Sequence, residues 1–116
     1  MGETIPSVAP LPGGGHIVAF QSNTGHLGIS SNGAPSSWID TGLGMAPRTS
    51  PSVVALPDGG RVVAFQSNTG HLGINREGAP ASWIDTGLGM LAGTTPSVVA
   101  MAAGYLVAFQ SNTGHL

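Results

Sequence analysis

The side chains in this chain that could do chemistry come in matched sets. Trp38 and Asp40 stand two residues apart, and so do Trp83 and Asp85. In an extended strand, residues i and i+2 point to one face, so each pair can set an aromatic ring beside a carboxylate. A sugar offers C–H groups on one face and hydroxyls at its rim. Its site therefore wants one aromatic platform with planar amide or carboxylate partners. A Trp-x-Asp pair suits such a clamp. The same residues also suit structural work: the tryptophans as core or interface residues, the carboxylates as caps of the Thr-Gly turn that follows each of them. Gln21, Gln66 and Gln110 end an apolar run, and Asn23, Asn68 and Asn112 sit in the turn after it. Asn is at home in turns. Gln is less demanded there and can be buried and hydrogen-bonded between elements.

His26, His71 and His115 each follow Asn-Thr-Gly. Imidazole is a common metal ligand, but equivalent positions are not neighbouring positions. At the start of a strand the ring can satisfy backbone groups instead, so no metal is expected. Catalytic signatures are missing: there is no Gly-x-Ser-x-Gly and no His-Glu-x-x-His. Of the carboxylates Glu3, Asp40, Asp58, Glu77 and Asp85, only Asp40 and Asp85 are equivalent. A glycosidase needs two carboxyls about 5–10 Å apart across one bond. A non-catalytic protein without a cofactor is the expectation. Gly42-x-Gly44 and Gly87-x-Gly89 follow a strand pattern, yet no helix pattern follows them. They are expected to be turns between repeats rather than phosphate loops. Arg48 and Arg76 do not recur, so the repeated set of Gln66, Asn68, His71, Asp85 and Trp83 holds no cation. Phosphate, sulfate and sialic acid fit it poorly, and a neutral sugar bound without metal fits it best.

These positions match because the chain repeats itself, and a period of this size is read before anything else. Pro6-Ser7-Val8, Pro51-Ser52-Val53 and Pro96-Ser97-Val98 recur at a spacing of 45. The block from Val18 to Leu27 returns as Val63 to Leu72 and as Val107 to Leu116, the last spacing being 44. Repeat 1 covers about 4–48, repeat 2 about 49–93 and a half repeat about 94–116. In repeat 2, apolar or β-branched runs at Ser52 to Leu56, Arg61 to Gln66, His71 to Asn75 and Ala81 to Thr86 predict four strands. The turns Pro57 to Gly60, Ser67 to Gly70 and Arg76 to Pro80 separate them. Asn32-Gly33, in the matching place of repeat 1, is a strong hairpin signal. Turns every 8–12 residues between short β runs predict an all-β fold, and no window shows helical periodicity.

Composition narrows the function further. Of 116 residues only 7% are charged, with three Arg and no Lys, so there is no basic footprint for nucleic acid. No run of about 18 apolar residues marks a membrane span. The 19 Gly and 9 Pro approach low complexity, but 41% of residues are hydrophobic and the net charge is only −2, which favours a folded chain. Cys is absent, which removes disulfides and thiolate metal sites. Met1-Gly2-Glu3 is acidic and polar where the basic start of a signal peptide would sit.

Four short strands in about 45 residues is the pattern of a β-propeller blade. The ladder Val-Ala-Phe-Gln-Ser-Asn-Thr-Gly-His-Leu and the later Ser-Trp-Ile-Asp resemble the repeats of propeller lectins and related modules of secreted bacterial proteins. Phe65-Gln66-Ser67-Asn68 with Leu72 and Trp83 is also loosely similar to the repeat of bulb-type mannose lectins, although the Asp and Tyr of that repeat are missing here. The first resemblance implies four-stranded antiparallel blades, a secreted setting, and weak carbohydrate recognition once per repeat. The residues concerned are Trp38, Asp40, Trp83, Asp85, Gln21, Gln66, Asn23, Asn68, His26 and His71. A ring closes with typically 4–8 blades, and two and a half repeats would leave apolar faces and strand edges in water. The expectation is a homo-oligomer of two or three chains, with the half repeat completed by a neighbour. Near-identity of the repeats is also what a designed, reconstructed or recently amplified array would show. The alternative is a structural self-assembling module with no ligand.

Overall fold

The computed structural model describes residues 4–12, 14–31, 38–57, 60–76, 83–113 and 115. The Asn32-Gly33 turn, Asp58-Gly59, residues 77–82 and the side chain of Trp38 lie outside the described residues. Every regular element described is a β-strand. The first sheet holds β1 (Ser7–Pro10), β2 (His16–Gln21), β3 (His26–Ser31) and β4 (Trp38–Gly44). The second holds β5 (Ser52–Ala55), β6 (Arg61–Gln66), β7 (His71–Arg76) and β8 (Trp83–Gly89). β9 (Ser97–Met101) pairs with β10 (Gly104–Ala108). All pairings are antiparallel between strands consecutive in sequence, so each repeat forms one meander.

Glycine sets the hairpins. Gly25 and Gly70 take φ of 84° and 87°, a region costly for residues with a Cβ, and each donates its N–H back to Ser22 or Ser67 at 2.9 Å. The 44-residue spacing has a local cause. In the second sheet Leu56 N–H reaches Gly60 O at 2.7 Å. In the third, Met101 pairs directly with Gly104 across the two-residue turn Ala102-Ala103.

One expectation is corrected. Gly42-Leu43-Gly44 and Gly87-Leu88-Gly89 are not turns between repeats; they are the last residues of β4 and β8. The reason is a β-bulge. His26 pairs with Gly44 and Gly28 with Asp40, so two steps on β3 face four on β4, and β7–β8 does the same. Gly42 and Gly87, both at φ 73°, absorb the extra length. Side chains replace the missing ladder bonds: Thr41 Oγ1 donates to Leu27 O at 2.7 Å and accepts from Leu43 N–H at 3.2 Å. Thr86 repeats both bonds with Leu72 and Leu88.

The three sheets stack face to face. Ala9, Ile17, Ala19, Leu27 and Ile29 of the first meet Val53, Val63 and Phe65 of the second. Val62, Ala64, Leu72 and Ile74, on the other side of the second, meet Val98, Tyr105, Val107 and Phe109. Burial follows this order strand by strand. β2 alternates between buried and half-buried, because only one of its faces is covered, whereas β6 is buried on both faces from Val62 to Gln66. Each fully buried large apolar side chain contributes about 1.5–3 kcal/mol. Strands β1, β5 and β9 line up side by side, linked by hydroxyls: Val53 N–H donates to Ser7 Oγ at 3.1 Å and Val98 N–H to Ser52 Oγ at 3.2 Å. The segments joining the sheets are bonded into the next sheet, with Ala46 N–H on Gln66 O and Leu91 N–H on Gln110 O.

Candidate functional site

The β2–β3 hairpin and the β4 bulge meet at one end of the first sheet, and β6–β7 and β8 meet likewise in the second. Asp40 pairs with Gly28, two residues along β3 from His26 and so on the same face, while the bulge sets Gly44 opposite His26 itself. His26 Nδ1 lies 3.0 Å from Asp40 Oδ1 and 3.3 Å from Oδ2. His71 Nδ1 lies 3.1 and 3.4 Å from the two oxygens of Asp85. All four side chains are partly exposed. An ionised carboxylate only accepts, so Nδ1 carries the hydrogen and Nε2 is the nitrogen turned to other partners.

Each aspartate also caps its own bulge. Asp40 Oδ1 accepts Gly42 N–H at 2.9 Å, and Asp85 Oδ1 accepts Gly87 N–H at 2.9 Å. For Asp40 the Gly42 N–H, and after it the His26 ring, hold the carboxyl below its ordinary pKa. The Gly87 N–H does the same for Asp85, opposed by desolvation and assisted by His71. Hydrogen bonds that favour the charged form are the leading cause at both sites.

The other expected residues divide. Asn23 and Asn68 are exposed at the hairpin tips. Asn68 also ties the sheets together: its N–H donates to Gly44 O at 3.0 Å, and its side chain occupies the space a Cβ on Gly44 would need. Asn112 stands over Gly89 in the same way. Gln21 and Gln66, expected among the sugar-contacting residues, are buried instead. Gln21 Nε2 donates to Ala46 O at 3.3 Å, and Gln66 Nε2 to Met90 O and Leu91 O at 3.4 Å. Both face the sheet that follows, and each holds the strand leaving its own sheet. Trp83 is half-buried, packed against the core between the first two sheets. Its ring centroid is 5.9 Å from that of Phe65, at 37° between planes. Trp83 and Asp85 therefore do not form a clamp with an open aromatic platform: the ring serves the stack and the carboxylate serves the bulge and His71.

Sequence reasoning missed the His–Asp pairing, whose members are fourteen residues apart on neighbouring strands. Its only sequence signal is that both residues recur together in both full repeats. At the opposite end, an open cleft of about 710 Å³ lies between the β5–β6 and β9–β10 turns, with Arg76 and Tyr105 on its wall. Among the described residues no group of three His, Cys, Asp or Glu could share a metal ion, and no helix is long and apolar enough to cross a membrane. The architecture is all-β with four-stranded antiparallel sheets; no protein-family model and no curated protein matches the chain.

Proposed function

We propose that the sheets are blades of a propeller-type ring and that the protein is a non-catalytic module binding a neutral carbohydrate weakly at the rim of each blade. One observation carries this reading: the same exposed His–Asp pair is built in both complete sheets, at 3.0 and 3.1 Å. Imidazole Nε2, the second carboxylate oxygen and the Asn side chain at the hairpin tip supply donors and acceptors for a diol. No cation recurs beside them, which favours a neutral ligand. Resemblance of the repeats to modules of secreted bacterial proteins supports an extracellular setting. A shallow site with few contacts gives a Kd on the order of 0.1–1 mM, about −4 to −5.5 kcal/mol. Several sites facing one surface raise avidity by about 10²-fold or more.

A glycan array paired with calorimetry tests the reading. Neutral sugars should bind at millimolar concentration, chelator should change nothing, and the His26→Gln/His71→Gln variant should lose binding. No neutral sugar bound by either method refutes it. A second reading, a structural module with no ligand, is favoured by two observations: Trp83 and Gln66 lie within the stack, and Asp85 caps its own bulge. The two readings part at the array, since the structural module binds no sugar there.

A further inference from the structure

We infer that two copies of the chain join head to tail, the open face of the first sheet lying on the open face of the third. Residues at equivalent positions of the repeat show what each open face lacks. Val8 is 65% exposed, while its counterparts Val53 and Val98 are 5% and 7% exposed. Leu106 is 57% exposed, while Ile17 and Val62 at the same position are fully buried. Met101 is 53% exposed, against 4% for Leu56. For Val8 the difference is the sheet on the far side; Leu106 and Met101 lack that sheet and also stand in a two-stranded rather than a four-stranded sheet. The face bearing Val8 is the one that, in the second sheet, packs on the first. The face bearing Val99, Met101 and Leu106 is the one that, in the second sheet, packs on the third. Each open face is thus the partner the other lacks, and a second copy of this chain supplies it.

The polar links extend the same way. Ser7 and Ser52 accept the N–H of Val53 and Val98 across the two internal junctions. Ser97, third in that series, is exposed, and across the new junction it would accept Val8 N–H of the next copy. An interface between unlike faces forms rings when the rotation closes and filaments when it does not. Two chains would hold four complete sheets and two two-stranded ones, six in all, against about 4–8 blades in a ring; three chains would hold nine. This count favours a two-chain ring with two identical junctions. Closure rests on reading the sheets as blades; the junction itself does not, and neither depends on a sugar.

Sedimentation of the 116-residue chain at micromolar concentration should return a species of about 23 kDa, twice 11.5 kDa. Val8→Glu and Leu106→Glu each place a charge in both junctions, and each variant alone should associate at least about 100-fold more weakly. Mixing the two variants restores one native junction, from Leu106 of one copy to Val8 of the other, so the mixture should recover a dimer. Ile84→Glu, on an exposed apolar residue outside both faces, should leave association unchanged. A folded species of 11.5 kDa for the parent chain overturns the junction. A mixture that stays monomeric overturns its head-to-tail sense. A ladder of higher multiples overturns the closed two-chain ring.

Discussion

Substituting alanine at Gly73 tests how tightly the second sheet is held in the stack. Gly73 stands opposite Phe65 across the β6–β7 ladder. A methyl there would come within 2.8 Å of the ring Cζ and 3.1 Å of both Cε atoms. Carbons in contact prefer about 3.5–4.0 Å, so the ring would have to retreat by roughly 1 Å. Phe65 is fully buried between two sheets with Trp83 beside it, and it has nowhere to go. Overpacking of this kind costs about 1–3 kcal/mol. The first sheet supplies the control. Gly28 opposes Phe20 in the same register, and its added methyl would come closer still, 2.6 Å from Cζ. Phe20, however, is only half-buried, at the open face, and its ring can swing outward. Gly28→Ala should therefore cost less than about half as much. Urea unfolding followed by tryptophan fluorescence, at a concentration where the chain is unassociated, measures both. In thermal melts each kcal/mol corresponds to about 4 °C for a domain of this size. The reasoning fails if Gly73→Ala matches the parent within about 0.3 kcal/mol, or if Gly28→Ala costs as much as Gly73→Ala. On the head-to-tail junction inferred above, raising the concentration should narrow the gap, because Phe20 lies on the open face that junction would cover.

Gln66→Glu should destabilise by more than about 3 kcal/mol, because it buries a charge facing the carbonyls of Met90 and Leu91. Gln66→Leu should cost less, and equal losses in chemical denaturation would remove the amide's donor role. Asp40 and Asp85 have folded pKa values below their unfolded ones, chiefly through Gly42 and Gly87 N–H. Their contribution is thus present above about pH 4 and lost as pH falls through the lowered values. Melting temperature should fall more steeply below pH 4 for the parent than for Asp40→Asn/Asp85→Asn; parallel slopes would contradict this. Gly44→Ala should push the Asn68 side chain off the first sheet and cost little when Asn68→Ala is already present. A double-mutant cycle showing simple additivity would dissolve that coupling.

Much of the architecture could be read from residue order. Turn residues bracket β2, β6 and β7 because Gly25 and Gly70 take conformations that few other residues adopt. Gly42 and Gly44 mislead for a physical reason. One absorbs a bulge and the other gives way to a side chain from the next sheet, so both lie inside a strand while looking like a turn. A glycine's purpose in a strand depends on what approaches it, and that partner is about 24 residues away in sequence for Gly44 and Asn68. The His26–Asp40 pair was hidden because its members are not opposite each other: Asp40 pairs with Gly28, so the contact runs diagonally across the ladder, and the bulge puts Gly44, where simple hairpin counting would put Gly42, opposite His26. For Trp83, alternation along β8 gives the parity of the side chain. It does not tell whether that face meets water or the core of the preceding repeat. Gln66 shows the converse, a polar residue closing an apolar run, whose burial between elements was among the readings open from sequence.

The serine links between inner strands have a consequence on the scale of genes. Ser7 holds Val53 and Ser52 holds Val98, each bond joining one position of a unit to the next position of its successor. Such a bond is indifferent to which unit it starts from. Misaligned recombination between two near-identical units therefore inserts or removes one whole unit and leaves every surviving donor with its acceptor. A point change at Ser52, by contrast, breaks a link in place and is not repaired by adding units elsewhere. Array length can therefore change by whole units with these bonds intact, whereas joint quality changes only through the residues of the joint itself.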